Sequence, residues 1–213
     1  MIYRDLPPND FEYGADVFAL DYYKPDSNGK DDFSRKQTWF YIYGDDDLKQ
    51  EFEEKTTELV NTLFTEDKTD WNVITPVPAQ NEGEINTNMR NLIKEVSDNT
   101  GLNYSEVMNR SSSIAESHEL ESKERRKINI QSSLKIEEDV EGKNIIIMDN
   151  VTRSGITLSH TVSKLKQNGA NKVACITLGV SSEKNTDRDT TIGEGETATD
   201  LMKKPKLKEK PTV

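Results

Sequence analysis

Four consecutive apolar residues, Ile145-Ile-Ile-Met148, run directly into Asp149, Asn150 and Val151, and then into a stretch rich in hydroxyls and glycine, Thr152-Arg-Ser-Gly-Ile-Thr157. An unbroken apolar run suits a strand covered on both faces, and open α/β sheets place ligands at the carboxyl ends of such strands. Asp149 falls at such an end and is the best single candidate for chemistry. The segment after it offers main-chain N–H groups and the hydroxyls of Ser154 and Thr157 at the start of a predicted helix, where unsatisfied donors and the helix macrodipole favour a phosphate. Gly155 lets the backbone come close to an anion. A competing reading is purely structural: Ser154 or Thr157 caps a helix that follows a strand.

The elements around this loop must hold it in place. Lys143–Met148 reads as a strand, the pattern after Gly155 as a helix through Lys166, Asn168-Gly169 as its stop, and Lys172–Leu178 as the next strand. Strands alternating with helices imply parallel pairing and right-handed crossovers. Upstream, Asn72–Pro78 is a short apolar strand running into prolines, followed by a helix from about Ile85 to Val96 that Thr100-Gly101 ends. Leu48–Phe64, preceded by Asp45-Asp-Asp47, has the spacing of an amphipathic helix with acidic residues at its favourable end. Asp16–Tyr23 reads as a first strand, with a polar turn at Pro25–Lys30 and Trp39-Phe-Tyr-Ile-Tyr43 as its antiparallel partner. On that strand Trp39, Tyr41 and Tyr43 would alternate, either as core on one face or as a platform on which a base could stack. The polar segment Asn109–Asn129 reads as a mobile connection with partial helix, and residues beyond Ser181 as a disordered tail.

Composition narrows the classes of function. A chain of 213 residues with a net charge of -11 lacks the positive field that nucleic acid or anionic lipid would demand, so neither is expected as a partner. The one cysteine, Cys175, sits inside an apolar run, which excludes an intrachain disulfide and favours a small buried core residue. No apolar stretch approaches the roughly 18 residues of a membrane span, and the first residues lack a signal-peptide core, so a cytoplasmic protein is expected. His118 and His160 are the only histidines, and neither stands beside a second metal-type ligand at zinc-site spacing. A serine hydrolase would need a Gly-x-Ser-x-Gly turn, and a P-loop its Gly-Lys-Ser/Thr; neither pattern is present.

Ile145-Ile-Ile-Met-Asp-Asn-Val-Thr-Arg-Ser-Gly-Ile-Thr157 resembles the signature of the type I phosphoribosyltransferases, in which four apolar residues and two acidic ones precede a Thr/Ser-Gly-x-Thr loop. The resemblance extends to the ComF (competence protein F) type of that family through Phe18-Ala-Leu-Asp-Tyr-Tyr23, Val73-Ile-Thr-Pro-Val-Pro78 and Leu120-x-x-x-Glu124-Arg-Arg-x-x-Asn129, covering residues 16 to 180. It implies an α/β fold: an open parallel sheet flanked by helices, with an N-terminal antiparallel hairpin and a disordered C-terminal tail. Residues 1–181 would form the domain, divided into a hood, hairpin and helix over 1–70 and a core over 71–181, with the tail over 182–213.

The resemblance also implies a ligand, 5-phosphoribosyl 1-diphosphate (PRPP) accompanied by Mg2+, and no metal held directly by the protein except near Asp149. Asp149 and Asn150 would meet the ribose hydroxyls. Val151, Thr152, Arg153, Ser154, Gly155, Ile156 and Thr157 would cradle the 5-phosphate, and Val77, Pro78, Ala79 and Gln80 would line the diphosphate side. The segment from His118 to Arg126 corresponds to the family's closing loop, so Lys123, Arg125 or Arg126 could neutralise the leaving diphosphate; a solvated charged helix is the competing reading. Asn150 departs from the family, which usually has a second acidic residue there. An amide can bond a hydroxyl but supplies no negative charge to a metal or to an oxocarbenium-like ribose. The family's cysteine zinc module is also missing. Three functions follow: a transferase moving phosphoribosyl to a nitrogen acceptor, a non-catalytic module that senses PRPP or a nucleotide, or an interaction protein that keeps only the fold. A homodimer is left open.

Overall fold

The computed structural model of the chain describes residues 1–6, 12–24, 32–65, 71–114, 133–183 and 186–204. In chain order they form β1 (Ile2–Leu6), β2 (Ala15–Tyr23), α1 (Asp32–Tyr43) and α2 (Asp46–Val60), the last running into a π-helical turn (Asn61–Thr65). Next come β3 (Val73–Pro76), α3 (Thr87–Thr100), β4 (Asn103–Tyr104), β5 (Met108–Arg110) and β6 (Leu134–Ile136). The chain continues through β7 (Asn144–Thr152), α4 (Ile156–Gln167), β8 (Lys172–Ser181), a 3₁₀ turn (Thr186–Arg188), β9 (Asp189–Thr191) and α5 (Ala198–Lys203).

One sheet runs in the order β4-β3-β7-β8-β2-β1-β9, and β5 with β6 makes a separate antiparallel ribbon. From β4 to β2 every neighbouring pair is parallel; β1 lies antiparallel to β2, and β9 antiparallel to β1. Successive side chains of a strand point to opposite faces. In β7, Ile146 and Met148 therefore join the layer built with Phe52 and Leu59 of α2 and Leu92, Ile93 and Val96 of α3. Ile145 and Ile147 join the other layer, with Leu158, Val162 and Leu165 of α4 and with Cys175, which is fully buried. Both faces of the strand are covered, which is why its sequence is continuously apolar rather than alternating.

The α/β class, the mostly parallel sheet flanked by helices and the N-terminal hairpin are all present, but the hairpin pairs β2 with Ile2–Leu6. Residues Trp39–Tyr43, expected as the partner strand, are the end of α1. Ser34, Gln37 and Phe40, three apart, face inward, and Phe33 and Phe40 meet Phe52 at ring-centroid distances of 6.0 and 5.3 Å. Packing at helical spacing has overridden the β preference of a Trp-Phe-Tyr-Ile-Tyr run. Its outward residues Trp39, Ile42 and Tyr43 are 54, 58 and 65% exposed.

Two further expectations change. Within the tail expected from residue 182 to 213, residues 186–204 carry β9 and α5, and Asp189 makes a two-pronged ion pair with Arg4 through Nε and Nη2, at 2.6 and 2.8 Å. Arg4 is fully buried, so this polar-looking segment is held by an internal charge pair, by the pairing of β9 with β1, and by Leu201 and Ala198, which are buried in the core with Ile192 and Met202 packed against it. Asn109 and Arg110, assigned to a mobile connection, belong to β5; residues 115–132 and 205–213 lie outside the described set.

Candidate functional site

β3 ends at Pro76, opposite Met148, whereas β7 continues to Thr152. Past that point the chain turns away from the sheet, held by Val77 N–H donating to the Met148 carbonyl (2.9 Å) and Ala79 N–H donating to that of Glu84 (2.9 Å). A cavity of about 430 Å³ opens between the diverging segments. Val77, Pro78, Ala79 and Gln80 line one part of it, and Asp149, Asn150, Val151 and Thr157 another. Two groups of candidate residues some 70 positions apart in sequence thus share one cavity, because β3 and β7 are neighbours in the sheet.

Asp149 lies inside β7, in register with Thr177 of β8, rather than just beyond the strand. After the buried Thr152, Arg153 and Ser154 form an exposed bend, and Gly155 takes the left-handed conformation (φ 76°) at the N-cap of α4. No side chain caps this helix, so the structural reading of Ser154 or Thr157 as a cap does not hold. The first amides of α4 are left for solvent or a ligand, at the positive end of the helix dipole. Gly155 is required twice over: its φ disfavours a side chain, and a Cβ would fall 2.2 Å from Leu6 Cδ1. Ile156 is buried against Ile114, and Arg153 lines an adjoining cavity of about 260 Å³ with Asn150, Tyr41 and Gln37.

The electrostatics centre on Asp149. Burial pushes its carboxyl up to about 6, against the opposing influence of the Asn150 N–H, which it accepts at 2.8 Å, and of the Arg110 guanidinium. Asn150 turns its own side-chain oxygen to the Val151 N–H at 2.6 Å. Burial and then the charge on Asp149 raise the Tyr41 phenol. Burial pushes the His160 imidazole down to about 4, so it is neutral at pH 7. Among the described residues, Asp149 is the only carboxylate lining the cavity, and no cluster of three metal-ligating side chains occurs. One carboxylate suits an ion such as Mg2+, which keeps much of its water and takes phosphate oxygens from the ligand.

Sequence reasoning missed Arg110 and Asn86, which line the cavity together with Tyr41. Arg110 stands two residues after the buried Met108, in phase with it on a strand, which was the available signal. Tyr41 was singled out, but on the wrong element. Asn86 caps α3, accepting from the N–H groups of Asn88 and Met89 at 3.0 Å each. Lys123, Arg125, Arg126 and His118 lie outside the described residues. The chain leading to them leaves from the rim of the cavity, where Ile114 N–H donates to the Gln80 carbonyl (2.9 Å) and Glu82 N–H to Ser113 Oγ (3.0 Å).

No protein-family model matches the chain, and no curated protein matches it either. Among solved structures it is similar to a hypoxanthine-guanine phosphoribosyltransferase from Bacillus anthracis, at 14% identity and a TM-score of 0.46, covering 70% of this chain and 78% of that one. It is similar to a purine phosphoribosyltransferase from Pyrococcus horikoshii at 14% identity and a TM-score of 0.42, over 70% of this chain and 80% of that one. An allosteric regulatory enzyme of purine biosynthesis aligns at 17% identity and a TM-score of 0.44, over 67% of this chain but only 30% of its own. Likenesses this distant assign no activity.

Proposed function

We propose that this cavity binds a 5-phosphoribosyl group, as PRPP or a nucleoside 5-phosphate, and that the protein is a phosphoribosyltransferase-like domain of the ComF type. The observation that carries the reading is the convergence, in one cavity, of the half-buried Asp149, Thr157 in the first turn of the uncapped α4, and the 77–80 segment. In this reading the 5-phosphate accepts from the main-chain amides of residues 153 to 157 and from Ser154 and Thr157, as helix N-termini favour. Asp149 and Asn150 meet the ribose hydroxyls and orient C1 toward the Val77–Gln80 side, where the diphosphate lies. Asp149 would be the residue to hold a Mg2+ ion accompanying the ligand, which would supply charge neutralisation. A nitrogen nucleophile bonds to C1 while the C1–O bond breaks; the electron pair leaves with the diphosphate, and the nitrogen sheds a proton. Lys123, Arg125 and Arg126 stand in the segment that would close over the diphosphate.

A second reading, a non-catalytic sensor of the same ligand, is favoured by Asn150. With an amide at that position, the only negative side chain lining the cavity among the described residues is Asp149. Binding tolerates that loss better than turnover does. The test is a thermal-shift titration with PRPP, with and without Mg2+, on the wild type, Asp149→Ala and Thr157→Val. Stabilisation that both substitutions weaken supports the site; no shift under any condition rejects it. Release of inorganic diphosphate in the presence of a panel of nitrogen acceptors then separates transferase from sensor.

A further inference from the structure

Arg110 is 96% buried, at 4% exposure, yet it lines the cavity. Its guanidinium is fixed by neutral partners: Nε donates to the Ala79 carbonyl at 2.6 Å and Nη1 to Ser133 Oγ at 2.7 Å. Among the described residues it forms no ion pair; Asp149 is the one carboxylate whose charge it feels, and only through space. A buried charge is costly unless an opposite charge and hydrogen bonds compensate it. Two neutral acceptors hold the guanidinium in place without neutralising it. Its position is also specific: the bond to Ala79 ties it to the 77–80 wall of the cavity, a different wall from the amides at the start of α4.

We propose that Arg110 is the fixed cation of the site and that its counter-charge is a diphosphate group bound against Ala79 and Gln80. This rests on the phosphoribosyl reading above and deepens it. The planar donor fork of an arginine matches phosphate oxygens, whereas the α4 amides at the other wall suit a single terminal phosphate. Arg110 then separates the two anionic ends of one ligand. The diphosphate end meets a charge that is built into a strand and positioned before binding, and the 5-phosphate end meets main-chain amides.

The two ends can be probed apart. Isothermal titrations with inorganic diphosphate and with ribose 5-phosphate, each with Mg2+, are made on wild type, Arg110→Gln and Arg110→Lys. Loss of a charge-assisted contact weakens diphosphate binding to Arg110→Gln roughly 10- to 100-fold. Ribose 5-phosphate binding stays within about twofold, which also shows that the variant is folded, and Arg110→Lys recovers part of the loss because it keeps the charge. Equal diphosphate affinity in wild type and Arg110→Gln overturns the assignment of Arg110 and leaves the cavity reading intact. Failure of wild type to bind either probe overturns both. Should Arg110→Gln not fold, side-chain NMR of arginine-labelled wild type decides: the Arg110 guanidinium resonances move with diphosphate and not with ribose 5-phosphate, and the absence of such movement rejects the proposal.

Discussion

Replacing Asp149 with Asn should stabilise the protein while abolishing its ligand response, and the size of the effect follows from the carboxyl's surroundings. Asparagine has nearly the same shape and can still accept the Asn150 N–H that Asp149 accepts at 2.8 Å. What it removes is the cost of holding a half-buried carboxylate away from water, which raises the group from 3.8 to about 6. At 1.36 kcal/mol per unit, that shift corresponds to about 3 kcal/mol at most, and to about half of that once water at the cavity mouth screens the charge. The sign is fixed by linkage: between pH 3.8 and about 6 the folded state holds more protons than the unfolded one, so wild-type stability falls as pH rises through that window and is level above it. Asp149→Asn lacks this slope. Urea denaturation at pH 4 and pH 8, read as the change in midpoint at constant m, should give similar stabilities at pH 4 and a variant more stable by about 1.5 to 3 kcal/mol at pH 8. A variant no more stable at pH 8 than at pH 4, relative to wild type, would refute the claim that Asp149 is a desolvated carboxylate.

The remaining predictions concern how the site is held. Asp189→Ala leaves Arg4 buried without its partner and should cost about 3 to 5 kcal/mol in denaturant unfolding. Gly155→Ala combines a left-handed φ with a Cβ 2.2 Å from Leu6 Cδ1, so calorimetry should show a melting temperature lowered by several degrees, as expected of a loss of about 2 kcal/mol or more. Asn86→Ala removes the cap of α3 and should cost about 1 to 2 kcal/mol, while also disturbing the cavity wall that Asn86 shares with Tyr41.

How much of this was legible in the sequence depends on the kind of signal. β7, α4 and β8 were readable because an unbroken apolar run, a glycine turn and a second apolar run are each locally decisive, and Asp149 followed from its place at the end of the apolar run, although β7 continues past it to Thr152. α2 and α3 were readable from apolar periodicity, with Gly101 in the left-handed conformation stopping α3. α1 was not, since Trp39–Tyr43 has strand composition and its helical state depends on Phe40 reaching Phe52, a contact that local sequence does not contain. The order of residues 186–204 rests on long-range partners that leave no local pattern: the Arg4–Asp189 pair, 185 residues apart, the pairing of β9 with β1, and the isolated apolar residues Ile192, Ala198, Leu201 and Met202 reaching the core. Arg110 was overlooked for a related reason: a charged residue before a polar stretch reads as surface, and only the pairing of β5 with β6 turns it inward.

The most direct test of the central claim is an amide NMR titration of the labelled protein with PRPP and Mg2+. The account predicts that the N–H signals of residues 153 to 157, Asn150, Ala79 and Gln80 shift together and saturably, while those on the exposed face of α1 around Trp39 and Tyr43 stay in place. Shifts confined to α1, or none at the start of α4, would contradict it.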